Sequence, residues 1–362
     1  MAEGGRCRWC GGPAVRHDGV MSDELEPGAG HGAGVDRWLG RVLREGGVPE
    51  LLEVLAERLS PTDLQTLLLE VARRRAAAVT PARLLHAYEH NRFTRPSTLD
   101  PLELARLEVL VHGHLSEHGF AALALSPLCP LGTVSAVATA DQNKVVTTVR
   151  TTEVVADVTN VLALECAVRR RDLLRADARS RRRVRLAAVQ RVVRAQAFDD
   201  PGMVPHFALL GVCTAGRDEG SFTFETAALA EQIAVHLDVL YGVRELGYRV
   251  AAVRVTVTDL TGGRRRRALR EQVLDRLAPA YPAAVFAFDD DRVAGRGYYR
   301  DACFEIRAAA RGGDDVSLGD GGLVTWTADL LSNAKERLLI SGLGLERLCM
   351  LFGPPARGDQ RM

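Results

Sequence analysis

The chain has 362 residues, 47% of them hydrophobic and 26% charged, and 47 basic side chains against 46 acidic ones leave a net charge of +1. Such a balance fits a soluble globular protein with one large core or two modest ones, and it excludes binding to nucleic acid through an overall positive charge. No stretch approaches the roughly 20 apolar residues needed to cross a bilayer, so the sequence predicts no membrane partner.

Residues 1–35 are glycine-rich and polar and lack the apolar core of a secretory signal, which predicts a disordered leader and a cytoplasmic protein. Cys7 and Cys10 have the spacing of half a zinc knuckle, with His17 beyond. A structural zinc site takes four ligands and no second pair lies nearby, so no metal ligand is assigned. Met21 is a second candidate start. Seven cysteines, an odd number thinly spread, point to reduced thiols and against a disulfide framework.

Residues 36–95 read as a small helical N-terminal domain. Ser60-Pro61 and Thr80-Pro81 each place a hydroxyl at an N-cap and a proline at the first helical position, where its missing N–H is harmless. Leucines at 51, 52, 55 and 59, then 64, 67, 68 and 69, supply apolar stripes of helical spacing. Asp100-Pro101 opens a further helix by the same device, ending at Gly119, and an apolar strand over Phe120 to Leu125 is expected to follow. Between 131 and 258, β-branched runs such as 144–149 and 250–257 mix with helical stretches, notably Thr226 to Tyr241. This is an α+β pattern, with strands distant in sequence pairing across helices in a mostly antiparallel sheet with flanking helices.

The motif-bearing segments follow one another in a particular order. Val149-Arg150-Thr151-Thr152-Glu153, Arg191-Val192-Val193-Arg194-Ala195-Gln196 and the run Pro205 to Cys213 come first. Arg296-Gly297-Tyr298-Tyr299, Gly319-Asp320-Gly321-Gly322 and the glycine-spaced end Ser341-Gly342-Leu343-Gly344-Leu345-Glu346-Arg347 complete the set. Over roughly the last two-thirds of the chain these segments resemble the core of class II aminoacyl-tRNA synthetases, in particular histidyl-tRNA synthetase and the related regulatory subunit of ATP phosphoribosyltransferase. The resemblance implies a catalytic core over 96–353, with 354–362 as a disordered tail and no anticodon-binding domain. The helix and strand of 100–127 resemble the first motif of that class, which builds a homodimer interface.

The same resemblance implies roles. Arg194 would meet the α-phosphate of ATP, with Gln196 standing where the family has glutamate, and Arg347 would meet the outer phosphates beside Gly342 and Gly344. Arg296 would be the catalytic arginine, and magnesium (Mg2+) the counter-charge. Glu153 would hold a substrate amino group, although its spacing from Arg150 is one residue longer than in the family. Leu209, Cys213, Tyr298, Tyr299, Gly321 and Gly322 would line the substrate pocket. Leu209 and Cys213 replace the glutamine and glutamate that line the histidine pocket, so an imidazole would lose both polar partners and specificity for histidine is not expected.

The expected function is therefore ATP-dependent activation of another amino or carboxylic acid as an acyl-adenylate, the alternative being a non-catalytic, ligand-sensing partner subunit. Transfer RNA is a less favoured partner, because no dense basic face is evident in the helical N-terminus. The arginine runs 179–185 and 264–267 carry no interleaved aromatic residues to stack bases and read as solvated charge.

Overall fold

A computed structural model describes residues 33–196, 205–310, 313 and 315–354. Cys7, Cys10, His17 and Met21, with most of the expected leader and tail, lie outside the described residues.

The N-terminal helices are α1 (Ala33–Glu45), α2 (Leu51–Glu53, continued by a π turn over Val54–Arg58), α3 (Pro61–Ala77) and α4 (Pro81–His90). The hydroxyl of Ser60 accepts from the Asp63 amide at 3.2 Å, and that of Thr80 accepts from the Arg83 amide at 3.4 Å. Both caps are thus made where Ser-Pro and Thr-Pro place them. None of the side chains described from Trp38 to His90 is buried, and apolar ones such as Leu84 stay 61% exposed. The chain next touches the core through its connector. His206 donates from Nε2 to the Arg95 carbonyl at 2.6 Å, and Arg92 donates to the Gln196 carbonyl.

Helix α5 (Pro101–Glu117) is capped by Asp100, whose carboxylate accepts from the Leu102 amide at 2.9 Å. It stops at Gly119, where the backbone turns to a φ of 71° that a side chain disfavours. The apolar run behind it pairs over a shorter length than its composition suggests. Only β1 (Ala121–Ala122) joins the sheet, because Ser126-Pro127 turns the chain away. A small hairpin, β2 (Leu128–Pro130) with β3 (Thr152–Val154), encloses α6 (Thr133–Val137). The run 144–149 lies beside β3 without forming a strand of its own.

The main sheet also contains β4 (Val184–Val193), β5 (His206–Arg217), β6 (Ala251–Asp259), β7 (Val285–Phe288), β8 (Arg300–Ala309), β9 (Asp315–Val324) and β10 (Glu336–Gly344). Its order is β1-β4-β5-β10-β9-β8-β6-β7, antiparallel except at the two outer pairs. Helices α8 (Thr223–Gly242) and α12 (Leu345–Phe352) join α5 on one face, around Phe224, Leu229, Phe304 and Phe352. Short helices α9 (Arg266–Leu269) and α10 (Asp275–Leu277) close that layer. The other face carries α7 (Val158–Ala176) and α11 (Trp326–Leu330), packed through Leu162, Cys166 and Trp326. Helix α7 starts against bare backbone: a Cβ on Gly211 would lie 2.7 Å from the Val158 Cβ.

One buried polar chain joins α8 to the sheet. Ser341 donates to Gln232 at 2.7 Å, so His236 must carry its proton on Nε2 and donate to Ser341, also at 2.7 Å. Nδ1 is left without a hydrogen-bond partner. A second proton would therefore sit in a desolvated site, and burial lowers the His236 pKa from 6.5 to about 4. The unfolded chain binds that proton more readily, so stability should fall as pH drops from about 6.5 to about 4. At about 1.4 kcal/mol per pH unit the loss is about 3 kcal/mol. Urea unfolding at pH 7 and pH 4 checks this, and His236→Gln should flatten the slope in that window.

Candidate active site

A cleft opens on the α7 face, where the start of α7 meets the ends of β4, β9 and β10. It brings together Arg194, Leu209, Tyr298, Tyr299, Gly342 and Gly344, which lie up to 150 positions apart in the chain. Asp157 and Thr159 line it from the first turn of α7, and Ser317, Gly319 and Asp320 from β9.

Asp157 caps α7: its Oδ1 accepts from the Thr159 amide at 2.8 Å and from the Thr159 hydroxyl at 2.7 Å. Its Oδ2 pairs with Arg194 at 3.4 Å. Arg194 also donates to the Ala156 carbonyl at 3.1 Å and stacks its guanidinium 5.2 Å from the centre of the Phe207 ring. On the opposite wall the Asp320 carboxylate accepts from the Tyr299 hydroxyl at 3.1 Å and from Arg292 at 3.0 Å. Burial pushes the Asp320 pKa up, an effect that Arg292 and Tyr299 oppose, while burial drives the Tyr299 phenol well above its ordinary value. With its own side chains in place the cleft encloses about 70 Å³. Sites for drug-sized ligands run to about 300–1,000 Å³, so a ligand of nucleotide size would need this cleft to widen.

The other residues expected at the site lie elsewhere. Glu153 is fully buried in the small hairpin. It accepts from the Gly132 and Val134 amides, both at 2.9 Å, and from the Gln142 side chain at 2.7 Å, so it fastens α6 instead of facing the cleft. Arg296 is exposed and turned onto its own loop, where it donates to the carbonyls of Arg292 and Asp290. Cys213 is buried beneath α7, its thiol 3.8 Å from the Thr159 carbonyl, and burial raises its pKa. Gly322 leaves room for the Tyr299 ring, since a Cβ there would come within 2.5 Å of it, and Gly321 leaves room for Ser341 on the far face. Arg347 is half-buried in α12, outside the cleft lining, and Gln196 is engaged through its carbonyl with Arg92.

Asp157, Thr159, Asp320 and Arg292 were not singled out from the sequence. Asp-x-Thr ahead of a helical run is an N-cap signal that could have found the first two. Nothing local separates Arg292, whose side chain is 3% exposed, from Arg296 four positions on.

The chain has the class II aminoacyl-tRNA synthetase-like fold. It is similar to the apo histidyl-tRNA synthetase of S. aureus, with a TM-score of 0.53 and 14% identity over 71% of this chain and 67% of that one. It is also similar to an ATP phosphoribosyltransferase regulatory subunit/histidyl-tRNA synthetase from Bacillus halodurans, with a TM-score of 0.52 and 17% identity over 71% of this chain and 82% of that one. The sequence matches no protein-family model and no curated protein. At these identities the likeness is one of fold.

Proposed function

We propose that the chain joins ATP to the carboxylate of an amino or carboxylic acid other than histidine, giving an acyl-adenylate and pyrophosphate. The observation that carries this reading is the meeting of Arg194, Gly342 and Gly344 in one cleft. A substrate carboxylate oxygen would form the new bond to the α-phosphorus. The bond to the leaving pyrophosphate would break, its electron pair departing with the pyrophosphate oxygen. Arg194 is the only arginine lining the cleft among the described residues, and it would stabilise the charge that grows on the α-phosphate. Arg292 acts at one remove, holding Asp320 in place. Leu209 and Ile340 add apolar surface to the cleft, with Leu209 standing where a histidine pocket carries glutamine. Moving Arg194 onto phosphate would release Asp157, which then becomes free to bind a substrate ammonium group.

No group of three potential protein ligands occurs among the described residues, so magnesium would be held mainly by the phosphate oxygens and water, with Asp157 and Asp320 as the carboxylates of the cleft, and would supply counter-charge.

Pyrophosphate exchange into ATP, run with a panel of amino and carboxylic acids at millimolar concentration, tests the proposal. Exchange that requires both an acid and Arg194 supports it. A second reading, a ligand-sensing partner subunit without catalysis, is favoured by the closed Arg194–Asp157 pair and the narrow cleft. It takes over if the panel is silent while one of those acids still binds.

The resemblance of 100–127 to the first class II motif points to a homodimer seated on helix α5, where Val109 is 74% exposed and Leu102 54% exposed. Sedimentation equilibrium should report a dimer for the native chain and a monomer for Val109→Arg. A native monomer would remove the expectation. No helix among the described residues is long and apolar enough to cross a membrane.

A further inference from the structure

The structure holds a second cleft, of about 510 Å³, between the C-terminal half of α7, the end of α5 and the start of β4. Its lining includes Arg169, Arg182, Arg183 and Arg185 against a single acid, Asp172. Strand β1 pairs with β4 only at Leu186 and Ala187, so Val184 and Arg185 lie beyond its cover and form the floor. Read from sequence alone, the run 179–185 is solvated charge. In the fold it is held from beneath. Arg170, fully buried, pairs with the equally buried Glu336 at 2.6 Å and donates to the carbonyls of Ser180 at 3.1 Å and Arg182 at 2.6 Å. Those bonds tie the loop backbone to the core and leave the Arg179, Arg181 and Arg182 side chains outward.

Among the lining residues Arg182 is the arginine without an ion pair, and Arg179 and Arg181 flank the cleft on the same loop. Arg169, Arg183 and Arg185 are paired with Glu165, Glu219 and Glu231, and each keeps guanidinium N–H groups beyond those bonds. Arg171, Arg179, Arg181 and Arg182 are exposed and make no ion pair among the described residues. An open groove bordered by several guanidinium forks on a loop whose backbone is tied to the core suits phosphate oxygens, which such forks can bind in pairs. The lining contains no aromatic side chain on which a base could stack, so recognition would fall on phosphate alone. Its volume is that of a small-ligand site.

We propose that this cleft is a binding site for condensed phosphate, a di- or triphosphate group either free or carried by a nucleotide, distinct from the candidate active site. The two clefts lie at opposite ends of α7. Thr159 and Arg169 are ten residues apart, about 15 Å along a helix. The binding does not depend on the proposed adenylation, although α7 and β4 each run from one cleft to the other and give a bound phosphate a rigid connection to Asp157 and Arg194.

Calorimetric titration of the full chain with inorganic tripolyphosphate at low salt, without magnesium, tests the site. Arg194→Ala removes the phosphate contact of the candidate active site and should keep the binding that the second cleft supplies. Arg169→Gln/Arg182→Gln should bind about 10- to 100-fold more weakly, the loss expected for a charge-assisted hydrogen bond, with an unchanged unfolding transition. ATP should match tripolyphosphate in the Arg194→Ala background, because the base adds no contact. Three outcomes overturn the proposal: no binding by the native chain; loss of binding in Arg194→Ala with retention in the double variant, which places the phosphate in the candidate active site; or an RNA duplex binding far more tightly than tripolyphosphate through the same arginines, which makes the surface a nucleic-acid interface. Failure of pyrophosphate exchange would leave this titration unaffected, so the two readings fall separately.

Discussion

Replacing Arg194 with alanine is expected to slow acyl-adenylate formation by about 10²–10³-fold, the effect of removing one positioned donor from a developing oxyanion. The expectation rests on position. Arg194 is the arginine that lines the cleft, and its present partners, Asp157 and the Ala156 carbonyl, hold its guanidinium beside Gly342 and Gly344. Arg194→Lys should recover only part of the rate, since a lysine keeps the charge but not the planar fork that meets two phosphate oxygens. Arg296→Ala should cost far less, because that side chain is exposed and bonded to its own loop. Steady-state pyrophosphate exchange on the three variants reads this directly, with thermal unfolding as a control for folding. If Arg296→Ala matched Arg194→Ala, the loop would have to close during turnover and the cleft would be reassigned.

Arg170→Ala is expected to destabilise the fold by about 3–5 kcal/mol, the cost of leaving one partner of a buried ion pair behind. Both side chains are 0% exposed, and the Arg170 guanidinium meets Glu336 through two nitrogens while also holding the Ser180 and Arg182 carbonyls. Removing it strands a carboxylate and two carbonyls in the interior. The double variant Arg170→Met/Glu336→Leu removes both charges together and should regain much of the loss, since apolar replacements of buried pairs are often tolerated. Urea unfolding of the single and double variants gives both numbers. A single-variant cost below about 1 kcal/mol would mean that water reaches the pair in solution.

The helical caps were legible in the sequence because they are local. Ser60, Thr80 and Asp100 satisfy amides two or three positions away, and the proline after each needs no partner. The α+β pattern was legible too, since Gly119 ends α5 by its own backbone preference and the β-branched stretch at 250–257 falls in β6 from Ala251 onward. Through the resemblance, Arg194, Tyr298, Tyr299, Gly342 and Gly344 could be named before any geometry, and the cleft gathers them.

Which acid lines the cleft and which arginine turns inward was decided only by tertiary structure. Glu153 and Asp157 are four residues apart and chemically alike. Glu153 turns inward because amides at 132 and 134 and the side chain at 142 meet it there, while Asp157 faces the cleft because it caps α7. Arg292 and Arg296 differ likewise, the first drawn inward by Asp320 and the second satisfied by loop carbonyls. Arg170 is one of three consecutive arginines, and nothing local marks it for burial. It is buried because its counter-charge, Glu336, arrives 166 residues later on β10. Local chemistry settles where a helix begins; the fate of a charged side chain depends on partners that only the folded chain brings within reach.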